Sequence, residues 1–341
     1  MLRIAFVTIL AAPLACAAPG FLPANHESIP QPVRAAYTGI FRIVTRSTRP
    51  TALVPKDSFK RYEQALPQTY SGFALLLKRA EFSAVRDAGE EQAYLSDWGV
   101  GTAFFIDERT LVSAKHVFSE ARAYPPVVDR QAPVSFYLFD KQNRKVFQSN
   151  PDVPNYEILF SGEIELHTLW GDRYAGLDKA SQFELLDVVI LRLHGQLPKL
   201  DPLKWAGSKP DVGELLYAPG FPNKSLSRNS EFGIPDSDGN GFYVATGKRI
   251  PIQESYRSFL YRTLEREDAN AYIATKLFHD VDTIAGNSGG PLLNGKGEVA
   301  GVIGSHFDHP KLTPAERYYP GGGYAMDSGF FQQVFTNSVH N

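Results

Sequence analysis

The sequence has almost no cysteine and, after its first residues, no long apolar run. Its 341 residues include one cysteine, Cys16, so the chain cannot close a disulfide of its own and must be held together by its apolar core. No apolar run after residue 18 reaches the roughly 18 residues that a transmembrane helix needs. These absences exclude a small disulfide-stapled module and argue against a later membrane-spanning helix.

The chain also lacks an excess of charge of either sign. It carries 35 Lys and Arg against 37 Asp and Glu, a formal net charge of −2. This balance gives no reason to expect a nucleic acid or an anionic membrane surface as a partner. The eight histidines are scattered, and removal of the first 17 residues would leave no cysteine for a zinc site. No metal and no organic cofactor is therefore expected.

Residues 1–17 have the pattern of a secretory signal peptide. One positive charge at Arg3 is followed by the apolar segment Ile4–Leu14, which is too short to span a bilayer, and by small residues that predict cleavage after Ala17. The mature protein is therefore expected to be secreted or periplasmic, and its lack of disulfides favours a bacterial source. The alternative is a lipoprotein signal in which Cys16 carries the lipid, but Pro13 stands where such signals usually have an aliphatic residue.

Strand-forming residues predict an all-β fold from about residue 96 onward. The β-type runs are short and separated by Gly, Pro, Asp and Asn, as in sandwiches and barrels. They lie at 99–106, 111–117, 134–139, 156–160, 188–193, 215–218, 242–245, 273–278, 292–293 and 299–303. Apolar residues at helical spacing in 324–335 predict a closing C-terminal helix. Residues 18–95 begin Pro-rich, show no sustained period and are interpreted as an N-terminal extension or propeptide.

The clearest chemical pattern is Gly286–Leu292, which reads GNSGGPL. Glycines on both sides of Ser288 leave the backbone free to turn its N–H groups toward a bound carbonyl oxygen, as acyl transfer by a serine requires. The same letters fit the nucleophile elbow of α/β-hydrolases, in which a helix follows the serine. Here Pro291, an Asn-Gly-Lys-Gly turn and the apolar run 299–303 follow instead. This order predicts strand, turn and strand.

A serine nucleophile needs a neutral imidazole to take its proton and a carboxylate to orient that imidazole. His116 stands near the end of the run 111–117, and Asp187 begins the run 187–191. A carboxylate at the edge of a buried strand is shielded from water, which strengthens its hydrogen bond to an imidazole. The chain order His116, Asp187, Ser288 also excludes an α/β-hydrolase, whose order is serine, acid, histidine.

These stretches resemble the catalytic motifs of chymotrypsin-fold (trypsin-like) serine proteases. Ser113–His116 fits the family's S/T-A-x-H motif, Asp187–Leu191 fits its aspartate segment, and Gly286–Leu292 fits its nucleophile loop. The resemblance covers about residues 95–335 and is greatest to disulfide-free bacterial members such as the glutamyl endopeptidases and the Deg-like proteases. It implies a protease domain at 96–341 built from two six-stranded antiparallel β-barrels.

The resemblance also implies a role for each site residue. Ser288 would be the nucleophile, His116 the general base and acid, and Asp187 the residue that orients His116. The backbone N–H groups of Gly286 and Ser288 would form the oxyanion hole. Asn287 stands where trypsin has the aspartate that pairs with a newly freed amino terminus, which argues against activation by that salt bridge.

Asp282, six residues before Ser288, is the candidate substrate-binding residue. Trypsin-like enzymes place there the carboxylate that receives Arg or Lys, and an unpaired buried carboxylate attracts a cationic side chain strongly. Glutamyl endopeptidases also have Asp-Thr at this place and read an acidic side chain with a downstream histidine. That histidine position falls on Ile303 here, and His306 lies three residues later. The side-chain preference therefore stays open between basic, acidic and other residues.

The sequence thus predicts a secreted serine endopeptidase that hydrolyses protein or peptide substrates through a His-Asp-Ser triad and an acyl-enzyme intermediate. Its activity is expected to rise with pH through a histidine-like value of roughly 6 to 7. Two alternatives stay open. One is a catalytically silent protease fold used for binding, and the other is an esterase that uses the same triad.

Overall fold

The structure is a computed structural model of the 341-residue chain. It describes residues 21–46, 52–55, 64, 92–95, 98–118, 135–149, 155–161, 187–222, 241–263, 266–283, 286–306 and 323–327. The signal peptide expected at 1–17 lies outside these residues. The described strands are Leu22–Pro23 (β1), Ile40–Arg46 (β2), Ala52–Pro55 (β3), Gln92–Leu95 (β4), Trp98–Phe105 (β5), Thr110–Ser113 (β6), Ser135–Phe139 (β7), Lys145–Gln148 (β8), Tyr156–Ser161 (β9), Val189–Leu193 (β10), Leu215–Gly220 (β11), Tyr243–Lys248 (β12), Lys276–His279 (β13), Pro291–Leu293 (β14), Val299–His306 (β15) and Gly323–Asp327 (β16).

The helical segments that lie wholly within the described residues are short. They are Gln31–Ala35, the 3₁₀ turn Ala36–Gly39, Lys115–Phe118, Glu254–Thr263 and Arg266–Ala274. The last two form a helical pair between β12 and β13, where sequence analysis had placed a β-type run from residue 273. The strand there begins only at Lys276, because residues up to Ala274 belong to the second helix of the pair.

The strands form two large antiparallel sheets. The first has the order β8-β7-β2-β5-β6-β10-β9, and the second has the order β1-β12-β11-β14-β15-β16-β13. A separate two-stranded sheet pairs β3 with β4. The expected all-β class is therefore confirmed. In the described part of the chain each sheet contains seven strands, where six were expected.

The extra strand of the first sheet comes from the N-terminal region. β2 pairs along its length with β5, from Ile40 opposite Phe104 to Arg46 opposite Trp98, and on its other side with β7. It is therefore an inner strand whose removal would leave both neighbours with an unpaired edge. The first sheet therefore extends to the N-terminal side of the domain boundary expected at residue 96, since residues 40–46 belong to the same sheet as residues 98–105.

Residues 21–39 bind the two sheets together. β1 pairs with β12 in the second sheet, and the chain then passes through a short helix into β2 in the first. Ile29, Val33 and Ile40 are buried in one apolar cluster that also contains Val112 of the first sheet and Val302 of the second. Of two further apolar clusters, one packs against the first sheet and the other against the second. Residues 21–46 are thus part of the core and not an extension outside it.

The expected C-terminal helix at 324–335 is also corrected. Residues 323–327 form β16, which pairs with β13 on one side and with β15 on the other. Ala325 is fully buried in the core of the second sheet. The remaining residues of the expected helix lie outside the described part of the chain.

Candidate active site

His116 and Asp187 meet at one edge of the first sheet because their strands are neighbours. β6 and β10 are antiparallel, with Val189 opposite Ser113. His116 lies three residues after Ser113, in the helical turn Lys115–Phe118, and Asp187 lies two residues before β10. The end of one strand and the start of the other therefore carry the two side chains to the same place.

The carboxylate of Asp187 accepts two hydrogen bonds from His116. The backbone N–H donates to Oδ1 at 2.9 Å, and the ring Nδ1–H donates to Oδ2 at 2.5 Å. An ionised carboxylate can only accept, so this contact places the ring proton on Nδ1 and leaves Nε2 as the basic nitrogen. The pair thus fixes both the orientation and the tautomer of the imidazole.

His116 and Asp187 differ in their exposure to solvent. The Asp187 side chain is 2% exposed, whereas the His116 side chain is 30% exposed. Burial lowers the pKa of His116, but the charge of Asp187 and its hydrogen bond raise it, and the nearby charge of Lys115 lowers it. The net effect is a pKa above the ordinary value of 6.5. The shielded carboxylate therefore stabilises the imidazolium, while the ring remains partly exposed to solvent.

The loop that carries Ser288 is a tight turn anchored on the second sheet. Gly286 and Gly289 have φ angles of 96° and 81°, a left-handed region that favours glycine. The Gly290 N–H donates to the Asn287 carbonyl at 2.9 Å, which closes the turn around Ser288. The Gly289 N–H donates to the Ile303 carbonyl at 2.8 Å and holds the turn against β15.

The same loop packs on the first sheet immediately before His116. The Thr102 N–H donates to the Ser288 carbonyl at 2.8 Å. A Cβ atom at Gly289 would collide with the backbone nitrogen of Ala114 and with the hydroxyl of Ser113. Ser288 itself is half-buried. The structure thus brings the three residues singled out in the sequence to the junction of the two sheets, with Ser288 beside the segment that leads into His116.

Asp282 lies apart from these contacts, between β13 and the Ser288 loop. It is 5% exposed. Burial, with a further contribution from the charge of Asp280, raises its pKa to about 6. The Asp280 carboxylate accepts a hydrogen bond from the Lys248 N–H at 2.5 Å, at the end of β12. Asp282 is therefore a buried carboxyl group that changes charge close to neutral pH.

Sequence analysis missed one residue that contacts this loop. Thr102 was noted only as part of the strand before His116, yet its backbone and side chain both reach residues 286–288. Its signal in the sequence is weak, because a threonine in a strand is ordinary. The contact depends on the approach of the second sheet, which the local sequence does not show.

A family profile described as a trypsin-like peptidase domain matches residues 101–302, more than half of the chain. The chain belongs to the trypsin-like peptidase family. The peptidase match begins within β5 and ends within β15, so it contains His116, Asp187 and Ser288 but not β2. The class of enzyme is accordingly that of the serine protease hydrolases.

Comparison of this trypsin-like peptidase with curated proteins gives no match. Among solved structures, it is similar to the serine endoprotease from Yersinia pestis, with a TM-score of 0.44 and 13% sequence identity. The similarity covers 91% of this chain and 66% of the Yersinia pestis chain.

No helix among the described residues of the peptidase is both long and apolar enough to cross a membrane. Within the same residues, no group of three or more His, Cys, Asp or Glu side chains is arranged to hold a metal ion.

Proposed function

We propose that this trypsin-like peptidase is an exported endopeptidase that cleaves protein or peptide substrates through Ser288, His116 and Asp187. The observation that carries the proposal is the pair of hydrogen bonds from His116 to the buried carboxylate of Asp187, formed where the Ser288 loop meets the first sheet. Export to the periplasm or the medium is supported by the signal-like pattern of residues 1–17.

The proposed reaction proceeds in two displacements. In the first, Ser288 Oγ attacks the scissile carbonyl carbon while His116 Nε2 takes the hydroxyl proton. The imidazolium then gives this proton to the leaving amine, the C–N bond breaks, and an acyl ester on Ser288 remains. In the second, His116 takes a proton from water, the hydroxide attacks the ester, and the proton returns to Ser288 as the acid product leaves.

Each displacement passes through a tetrahedral intermediate whose oxygen carries negative charge. The proposed donors to this oxygen are the N–H groups of Gly286 and Ser288. The turn geometry supports the second donor: the Asn287 carbonyl accepts from Gly290, and because a trans peptide is planar, the Ser288 N–H points the opposite way. Preorganised backbone donors of this kind typically contribute about 10²-fold to 10³-fold each.

Digestion of casein, compared with hydrolysis of p-nitrophenyl acetate, tests the proposal. The mature protein, with residues 1–17 removed, is expected to cleave both, since the amide and the ester share the acyl-enzyme route. Ester hydrolysis without casein cleavage would indicate an esterase. Failure to cleave either substrate, in a folded sample, would contradict the proposal and favour a binding module.

The pH dependence of activity follows from the raised pKa of His116. The imidazole must be neutral to accept the Ser288 proton, so the rate is expected to rise with pH through a value above 6.5. The rate of p-nitrophenyl acetate hydrolysis over roughly pH 5 to 9 gives this profile, with the Ser288→Ala variant as the blank for spontaneous hydrolysis. A flat profile, or a midpoint below the ordinary histidine value, would count against His116 as the base.

Asp282 is proposed to receive a basic substrate side chain. Its pKa of about 6 means that it is charged above this pH and neutral below it. We expect the ratio of cleavage rates after arginine and after leucine, in otherwise identical peptides, to increase as the pH rises through about 6. The His116 titration cancels in this ratio. In Asp282→Asn the ratio is expected to fall by about 10-fold to 100-fold and to lose its pH dependence. An unchanged ratio, or a preference for glutamate, would contradict this assignment.

A further inference from the structure

Thr102 lies on β5 in the first sheet, opposite Arg42 of β2, yet it contacts the Ser288 loop that the second sheet carries. Its side chain is fully buried. Two donors of this one residue bind two carbonyls of the loop: the N–H binds the Ser288 carbonyl at 2.8 Å, and the hydroxyl binds the Gly286 carbonyl at 2.7 Å. The contacts hold the peptide units 286–287 and 288–289, which flank the unit that carries the Ser288 N–H.

The direction of the Thr102 hydroxyl proton is itself determined. The Phe221 N–H, just beyond β11, donates to the Thr102 oxygen at 3.2 Å. The oxygen therefore accepts from Phe221, and its own proton is free to point at the Gly286 carbonyl. The Ser113 hydroxyl in turn donates to the Thr102 carbonyl at 2.9 Å. Thr102 thus joins the segment before His116, the end of β11 and the Ser288 loop.

Gly286 needs such a contact because of its own lack of a side chain. Its φ of 96° is accessible to glycine, but a glycine without a Cβ also has many other conformations open to it. Local sterics alone do not select one of them, so a tertiary contact must. The hydroxyl of Thr102 holds the Gly286 carbonyl and thereby limits rotation about the bonds on both sides of that peptide unit.

We propose that Thr102 is a positioning residue for the oxyanion hole. Its hydroxyl holds the Gly286 carbonyl and its N–H holds the Ser288 carbonyl, so that the peptide unit between them, which carries the Ser288 N–H, keeps its direction. This inference rests on the proposed function, because it assumes that Gly286 and Ser288 donate to an oxyanion. A displacement of these donors by about 1 Å weakens transition-state stabilisation much more than substrate binding.

The test compares Thr102→Val with Thr102→Ser. Valine keeps the shape of the side chain, including the methyl group that lies against Gly290, but has no hydroxyl. Serine keeps the hydroxyl and loses the methyl group. Thr275→Val is the matched control, since Thr275 is also buried and donates to a backbone carbonyl, that of Tyr272 at 2.8 Å, away from the Ser288 loop. Thermal unfolding of each variant sets a working temperature at which all are folded.

Two readouts separate positioning from stability. The first is kcat and KM for fluorescently labelled casein, and the second is the rate of covalent labelling by a fluorophosphonate, whose phosphoryl oxygen enters the oxyanion hole. Thr102→Val is expected to lower kcat and the labelling rate by about 10-fold to 100-fold with little change in KM. Thr102→Ser is expected to restore most of both rates, and Thr275→Val is expected to leave both near those of the unmutated protein.

The possible failures are distinguishable. If the unmutated protein cleaves casein and Thr102→Val does so at the same kcat, the positioning role is overturned while the proposed function stands. The same holds if Thr275→Val loses as much activity as Thr102→Val, since the loss would then reflect stability alone. If the unmutated protein neither cleaves casein nor reacts with the fluorophosphonate, the proposed function fails and the inference fails with it.

Discussion

Replacing Ser288 with alanine is expected to lower the rate of peptide hydrolysis by about 10⁶-fold, to a residual rate that reflects binding and the oxyanion hole alone. The change removes one oxygen atom from a half-buried side chain and leaves the backbone of the loop unaltered. The hydrogen bonds that hold this loop, from Thr102 N–H to the Ser288 carbonyl and from Gly289 N–H to the Ile303 carbonyl, involve backbone atoms that alanine also supplies. The fold should therefore survive, and casein cleavage together with thermal unfolding measures both effects.

Ser149→Ala provides the matched control for this result. Ser149 is a buried serine just after β8, and its Oγ accepts a hydrogen bond from the Phe136 N–H at 2.7 Å, far along the sheet from the Ser288 loop. Its replacement leaves a buried N–H unsatisfied and should lower the free energy of unfolding by about 1 to 3 kcal/mol. Activity below the unfolding temperature should be retained. A Ser288→Ala variant that keeps more than a small fraction of the activity would show that another group is the nucleophile.

Replacing Asp187 with asparagine is expected to lower kcat by about 10⁴-fold. The physical reason lies in the two hydrogen bonds that the carboxylate accepts, one from the His116 backbone N–H and one from the ring. An amide has one oxygen and one NH₂ group. Because the backbone N–H can only donate, the amide oxygen must face it, and the NH₂ group then faces Nδ1. The ring proton is thereby displaced to Nε2, the nitrogen that must be free to accept the Ser288 proton.

Asp107→Asn is the control for the loss of a carboxylate that accepts two backbone donors. Asp107 Oδ1 accepts from the N–H groups of Arg109 and Thr110, both at 2.7 Å, in the turn between β5 and β6. This variant is expected to change stability and to leave kcat unaltered. The comparison is made by measuring kcat and KM of both variants with fluorescently labelled casein. Equal kcat values for Asp187→Asn and the unmutated protein would remove Asp187 from the proposed triad.

The sequence predicted well the features that local patterns determine. The runs that became β5, β6, β10, β11 and β15 are dominated by apolar and β-branched residues bounded by turn residues, so their strand character is visible without tertiary information. The motifs around His116, Asp187 and Ser288 stand at strand ends and in a glycine turn. The resemblance to a known family implied the topology, and the convergence of the three motifs could be inferred from it. Local sequence alone does not show the topology.

The features that were missed depend on long-range packing. β2 contains Arg42, which is buried and stacks over Phe221 with its Cζ 4.8 Å from the ring centroid. An arginine in a sequence normally indicates an exposed position, so this inner strand could not be recognised from its residues alone. Residues 324–327 have apolar spacing that suits a helix, but the open edges of β13 and β15 pair with them as β16. The spacing of apolar residues within 324–327 gave no information about pairing with β13 or β15.

The central claim, that Ser288 is a nucleophile activated by His116, is tested most directly by fluorophosphonate labelling followed by mass spectrometric mapping of the modified peptide. The mature protein is treated alongside His116→Ala, with thermal unfolding to establish that both are folded. A single adduct on Ser288 in the unmutated protein, and a labelling rate lower by orders of magnitude in His116→Ala, is the predicted result. An adduct on a different residue, or equal labelling of Ser288 in the two proteins, would contradict the account.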